Sequence, residues 1–248
     1  MNCYKKNFLI KVIAKIDFLN PWSELDIAIP PEITQNIMKE YPLSTPRDAF
    51  TSEVHIDAAK GEIRQNSIKF KEWLFESRNR DKRILLSRDA VTLEYDAYHT
   101  YEEFKSQFIN LTGAIEKTFQ NLQIKRLGLR YINEIAIPGP NPFNWKNYLN
   151  KNLLGILDVP EEKRHISRAF QVLELNFDEF NLKFQYGMHN PDFPAPIKKK
   201  IFVLDYDAYI DGLVMIDELP TQCEKFHNRI EYLFEKSITD RLRGIMNE

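Results

Sequence analysis

Val91-Thr92-Leu93-Glu94-Tyr95-Asp96-Ala97-Tyr98 and Phe202-Val203-Leu204-Asp205-Tyr206-Asp207-Ala208-Tyr209 are nearly the same phrase written twice. The Leu, the acid, the Tyr, the Asp, the Ala and the closing Tyr coincide position by position. Each copy alternates apolar with polar side chains, the period of a strand with one buried face. After the first, Tyr101, Phe104, Phe108, Leu111, Ile115 and Phe119 recur at intervals of three and four. That stripe predicts a helix over 101–121. Thr100 and Glu103 fit a capping box at its start, the hydroxyl accepting from a first-turn N–H and the carboxylate reaching back. After the second copy, Leu219, Cys223, Phe226, Ile230 and Leu233, then Leu242 and Ile245, with Ile238 between, predict one long helix over about 217–246.

Outward from these anchors the two halves keep the same order. Residues 7–18 alternate, with Phe8, Ile10, Val12, Ala14, Ile16 and Phe18 on one side, until Asn20-Pro21. Pro30-Pro31 opens a helix over 31–41, because a proline lacks the N–H that has no partner in a first turn. Short strands follow between 52 and 95, clearest at 68–75, 83–88 and 91–95, with a charged turn at Ser77–Lys82. In the second half, 125–137 is a strand with Leu127, Leu129, Tyr131 and Ile135 on one face and Arg126, Arg130 and Glu134 on the other. Pro138-Gly139-Pro140 stops it. A short helical segment is expected at about 144–150, a polar loop at 158–164, and strands at 167–177, 180–188 and 200–207, with Asp178-Glu179 turning the first hairpin. The expected architecture is α+β: one domain of two pseudo-repeats, 7–122 and 125–246, each a β-α-β-β-β-α unit. Side by side they would make a mainly antiparallel sheet of about eight strands, with two long helices packed on one face.

Composition removes several functions. The 34 Lys and Arg balance 36 Asp and Glu, which argues against a general nucleic-acid coat. There are 8 Gly, and neither phosphate-cradling glycine motif occurs. The 2 cysteines, Cys3 and Cys223, form no disulfide framework and no zinc signature, which suits a reducing cytoplasm. Lys11 and Lys15 interrupt the apolar opening, so no signal peptide is expected, and no stretch approaches a membrane span. No cofactor or metal is expected. Aromatics are heavy, with 17 Phe and 11 Tyr.

Three sets of residues are site candidates. Arg126 and Arg130 share a strand face about 13 Å apart, with Glu134 continuing the row. Guanidinium forks can hold phosphate or carboxylate; the plainer alternative is a cross-strand ladder with acids on neighbouring strands. Glu94 with Asp96, and Asp205 with Asp207, would bind a divalent cation if all four converged; otherwise they are strand-end acids near helix N-termini. Trp73, Tyr95, Tyr98, Tyr206 and Tyr209 would be a stacking platform or a protein hot spot, or simply core. Asn133, on the apolar face of its strand, is expected to be satisfied by backbone. His227 follows Cys223 by one helical turn, and Cys223 lies on the apolar stripe, where it packs.

The opening FLIKVIAKIDF, the block from Trp73 through Tyr101 to Phe104, the LGLRYINEIAIP strand and the FEKSITDRLRGIM tail resemble a sporadically distributed family of bacterial and archaeal proteins of about this length. The sharpest motif is Leu129-Arg130-Tyr131-Ile132-Asn133, followed by a proline. Lysine and asparagine are more frequent here than is typical of that family. The patchy distribution implies mobile genes, often linked to defence or toxins, and the resemblance carries no catalytic residue. The function expected is a non-enzymatic, cytoplasmic interaction module that binds another protein, with an immunity, antitoxin or defence-accessory role as its sharpest form. Homo-oligomerisation stays open. The alternative is an enzyme or binder acting on a phosphorylated small molecule or nucleic acid, with Arg126 and Arg130 on the anion and Glu94, Asp96, Asp205 and Asp207 supplying acid–base or metal chemistry.

Overall fold

Strand β1 (Leu9–Phe18) is the centre of the molecule. Its inward residues Val12, Ala14, Ile16 and Phe18 are at most 1% exposed, as strict alternation requires of a strand with one face in the core. The computed structural model describes residues 4–57 and 62–248; Cys3 and residues 58–61 lie outside the described residues. The other strands are β2 (Leu43–Asp57), β3 (Glu62–Glu76), β4 (Lys82–Ser87), β5 (Ala90–Tyr95), β6 (Ile124–Ala136), β7 (Ala169–Asn176), β8 (Asn181–Met188) and β9 (Ile201–Val214). Among the described residues these nine form one sheet in the order β2-β3-β4-β5-β1-β6-β9-β8-β7. Every neighbouring pair is antiparallel, so the fold is α+β with an antiparallel sheet.

The sheet exceeds the expected strand number because residues 43–57 form one long strand. Pro46 lies inside it and would break a central strand by removing an N–H. Strand β2 is an edge with a neighbour on one side only, the place in a sheet where a proline is tolerated. Strand β9 runs past its expected end at 207 because Tyr209, Ile210 and Asp211 go on pairing with β6.

Four helices complete the described chain. Helix α1 (Pro31–Ile37) is shorter than expected and buries Ile33 and Ile37. Helix α2 (Tyr101–Thr118) buries its predicted stripe as far as Ile115. Half of the predicted capping box is present. Thr100 Oγ1 accepts from the Glu103 N–H at 3.2 Å, but the Glu103 carboxylate goes to Lys82 Nζ. The expected C-terminal helix is two helices, α3 (Leu219–Ser237) and α4 (Asp240–Asn247). Ile238 is extended between them, buried, and bridged to Leu149. Thr239 then starts α4 from an extended conformation, the position where Thr is favoured. The segment 144–150 is a series of turns rather than a helix. Trp145 is fully buried there against Phe202 at 5.5 Å, and Asn150 caps a short 3-10 turn at Lys151–Leu153.

Directly opposed residues on adjacent strands point to the same face. Tyr95, Val12, Tyr131 and Tyr206 are opposed in turn across β5, β1, β6 and β9, and so form one inward row. Phe104 of α2 meets Tyr95 edge-on at 5.0 Å, His227 of α3 meets the Tyr131 hydroxyl, and Ser237 of α3 accepts from Tyr206 Oη at 2.9 Å.

Candidate functional site

The charged residues singled out in the sequence lie on the outer face, opposite that row, and Arg126, Arg130, Glu94, Asp96, Asp205 and Asp207 form ion pairs there. Lys11 Nζ lies 3.3 Å from Glu94 and 3.4 Å from Asp96, and Arg83 reaches both acids as well. Arg130 grips Asp205 through Nε at 2.8 Å and Nη2 at 2.6 Å, a bidentate fork that raises the guanidinium pKa further. Arg126 is 3.8 Å from Asp207 and lies over the Tyr209 ring at 4.8 Å. Burial raises the Asp207 pKa, while Arg126 and Arg130 oppose the shift. Glu134 lies on the same face, and its N–H donates to Phe8 O at 2.8 Å. The acids stay as two separate pairs, one on each side of the central strands β1 and β6. Among the described residues no group of three or more His, Cys, Asp or Glu is disposed to hold a metal ion.

The aromatic set divides. Tyr95 and Tyr206 are buried, with hydroxyls on Tyr41 and Ser237. Trp73 donates its indole N–H to Leu25 O at 2.8 Å. Tyr209 lies beneath Arg126 on the outer face. Tyr98 lines a cleft, and that cleft gathers residues that no single stretch of sequence would join.

The cleft opens where the start of α2, the middle of α3 and the LRYIN end of β6 meet. It encloses about 810 Å³ including its open mouth. Tyr4, Tyr98, Tyr101, Tyr131 and Phe234 give it aromatic walls, and Glu102, Glu231 and Glu235 stand around it. At its floor the Tyr131 hydroxyl lies 2.9 Å from His227 Nδ1 and 3.3 Å from the Tyr98 hydroxyl. The His227 ring stacks on Tyr101, centroids 3.7 Å apart and 5° from parallel. Asn133 also lines the cleft and donates to Leu204 O at 3.3 Å, the expected backbone partner.

Burial governs the ionisation here. It pushes the His227 pKa down to about 4, so the imidazole is neutral at neutral pH; Glu224 and Glu102 act against the shift and Lys105 with it. It raises the Tyr101 and Tyr131 hydroxyls above their usual range and the Cys223 thiol to about 12. A thiol held protonated in this way is no nucleophile. Two buried polar atoms of residues that line the cleft, Tyr101 Oη and His227 Nε2, have no hydrogen-bond partner among the described residues. Their residues are only 4% and 5% exposed.

Sequence reasoning placed Cys223 correctly as packing but assigned His227 nothing beyond proximity to it. The available signal was the His227–Glu231 spacing of one helical turn, together with Tyr131 and Asn133 on an otherwise apolar strand face. No protein-family model matches the chain, and no curated protein is significantly similar to it. No helix among the described residues is long and apolar enough to cross a membrane.

Proposed function

We propose that the chain is a non-enzymatic binding module that receives a side chain of a partner protein in the cleft beside Tyr131. The observation that carries this is the pair of unpartnered buried atoms, Tyr101 Oη and His227 Nε2, on residues that line a mainly aromatic cleft. Buried polar atoms are nearly always paired, and leaving one unpaired costs about 1–3 kcal/mol. A partner's polar group entering the cleft would recover that cost, while its apolar stem packs on the rings. Glu94, Asp96, Asp205, Asp207, Arg126 and Arg130 of the outer face are matched within the chain, and that matching favours a structural role for them.

The same reading makes the two halves copies of one unit, each long helix covering the inner face. The strand order supports it, since β1-β5-β4-β3 on one side of the centre answers to β6-β9-β8-β7 on the other. The register agrees: Tyr95 opposes Val12 as Tyr206 opposes Tyr131, and Lys11 pairs with Glu94 as Arg130 pairs with Asp205. Both long helices touch the inward row. A cytoplasmic immunity, antitoxin or defence-accessory role, as the family resemblance implies, is the setting we favour.

Site-specific photo-crosslinking in the native host tests the reading. A benzophenone side chain in place of Phe234, at the cleft, is expected to trap one protein. The same group in place of Lys15, on the outer face, is expected to leave it untrapped. Equal trapping from both positions would overturn the assignment of the cleft.

A further inference from the structure

The charge around the cleft specifies what it takes. Glu235 is already satisfied, by Tyr4 Oη at 2.6 Å and Arg243 Nε at 2.8 Å. Glu102 and Glu231 are not neutralised. Glu102 has no ion pair among the described residues, and the basic atom facing Glu231 Oε2 is His227 Nε2 at 3.9 Å, on an uncharged ring. Lys105, whose Nζ lies 5.8 Å from the centroid of the Tyr101 ring, is engaged by Glu224, and no Lys or Arg among the described residues lines the cleft. An anion would meet uncompensated carboxylates there.

We infer that the cleft binds a primary ammonium group on an alkyl stem, the end of a partner's lysine side chain, held between the Glu231 carboxylate and His227 Nε2. This rests on the reading above that the cleft is the binding site. Glu231 Oε2 and His227 Nε2 are 3.9 Å apart, and with Nε2 unprotonated the two acceptors suit such a group. A nitrogen about 2.9 Å from each subtends roughly 85° between them, within reach of two N–H bonds of one –NH3+. In the tautomer required, Nδ1–H donates to the Tyr131 hydroxyl, so that Nε2 keeps its lone pair, and binding needs a small movement of the cleft wall to uncover that buried atom to the ammonium. The tyrosine rings then take the methylenes and add cation–π attraction. Binding needs the N–H donors, so a quaternary ammonium lacks the main contact.

The test is an NMR titration of the full chain, labelled at the His and Tyr rings. The probes are n-butylammonium, n-butyltrimethylammonium, n-butanol, butyrate and the peptide Gly-Gly-Lys-Gly-Gly. Saturable shifts of His227 and Tyr131 are expected with n-butylammonium and with the peptide. Binding at least tenfold weaker is expected with the other three, and with n-butylammonium on Glu231→Gln, whose amide spectrum reports that it is folded. Tighter binding of the peptide than of the amine supports a partner's lysine. Binding of the amine with none of the peptide would overturn the lysine as source. Equal binding of n-butanol or butyrate, or an unchanged affinity in Glu231→Gln, would overturn the ammonium itself. If no probe binds while the crosslink at position 234 still traps a protein, the ligand assignment fails and the binding module stands. If both fail, both fall.

Discussion

Val12 and Tyr131 oppose each other across the central strand pair, and each also opposes a tyrosine of the repeated phrase, Val12 facing Tyr95 and Tyr131 facing Tyr206. Under the duplication we infer, these two central residues are equivalent. One copy carries a valine that simply fills the core. The other carries a tyrosine whose hydroxyl reaches His227 on α3. On that reading the cleft lies where the two halves differ at a matched position.

The Tyr131–His227 contact is expected to be energetically coupled. Tyr131→Phe removes a buried hydroxyl that contacts both Tyr98 and His227, and should cost about 1–2 kcal/mol. His227→Phe should cost a similar amount. Chemical denaturation of both single variants and the double variant is expected to give a coupling energy of roughly 1 kcal/mol, against near zero for an independent pair.

Acid should destabilise the fold through His227. Its folded pKa of about 4 lies below the ordinary value of 6.5. Between those limits the unfolded chain binds the proton and the folded chain does not, so stability falls as pH drops from about 6.5 to about 4. The loss is on the order of 3 kcal/mol. His227→Phe should flatten that part of the profile, measured by urea unfolding at a series of pH values.

The outer-face pairs should differ in weight. The Asp205 side chain is 8% exposed and held by both arms of Arg130. Arg130→Ala leaves that carboxylate buried and unpaired, at a cost of about 2–4 kcal/mol. Arg126→Ala removes a looser contact of 3.8 Å and should cost under about 1 kcal/mol. Thermal unfolding of the two variants gives the order directly. Equal losses would contradict it.

Two glycines should respond with opposite signs. Gly187 on β8 has φ +145°, and a Cβ there would lie 2.0 Å from Ala169 O on β7. Gly187→Ala must push the edge strand away and is expected to cost more than about 2 kcal/mol. Gly113, inside α2, has nothing within 4 Å of an added Cβ. Gly113→Ala should stabilise by about 0.5–1 kcal/mol. Denaturant midpoints check both.

The sheet and α2 were legible because their signals are local. Alternation in residues 7–18 and the stripe from Tyr101 to Ile115 each fix a buried face without reference to the rest of the chain. The break at Ile238 was legible in the phase of the stripe: at 3.6 residues per turn Leu242 falls roughly 140° away from Leu219, Cys223, Phe226, Ile230 and Leu233, too far for one straight helix to bury both sets on the same face. The Thr239-Asp240 cap marks it as well, and the reward for leaving the helix is a bridge from Ile238 to Leu149, far earlier in the chain. Pro46 concealed β2 because a proline is tolerated in a strand only at an edge, and edge position is a property of the whole sheet. The ladder of Arg130 on Asp205 was available as one of two readings, since strand faces can be read but strand neighbours cannot. The cleft was out of reach for the same reason. Tyr131 and His227 are 96 residues apart, and nothing in either segment says which helix crosses which strand.

Competition for the crosslink at position 234 tests the central claim most directly. With benzophenone in place of Phe234, n-butylammonium should suppress the trapped adduct in a dose-dependent way, while n-butanol at the same concentrations leaves it intact. An adduct that persists undiminished at saturating amine would contradict a cleft built to hold a partner's lysine.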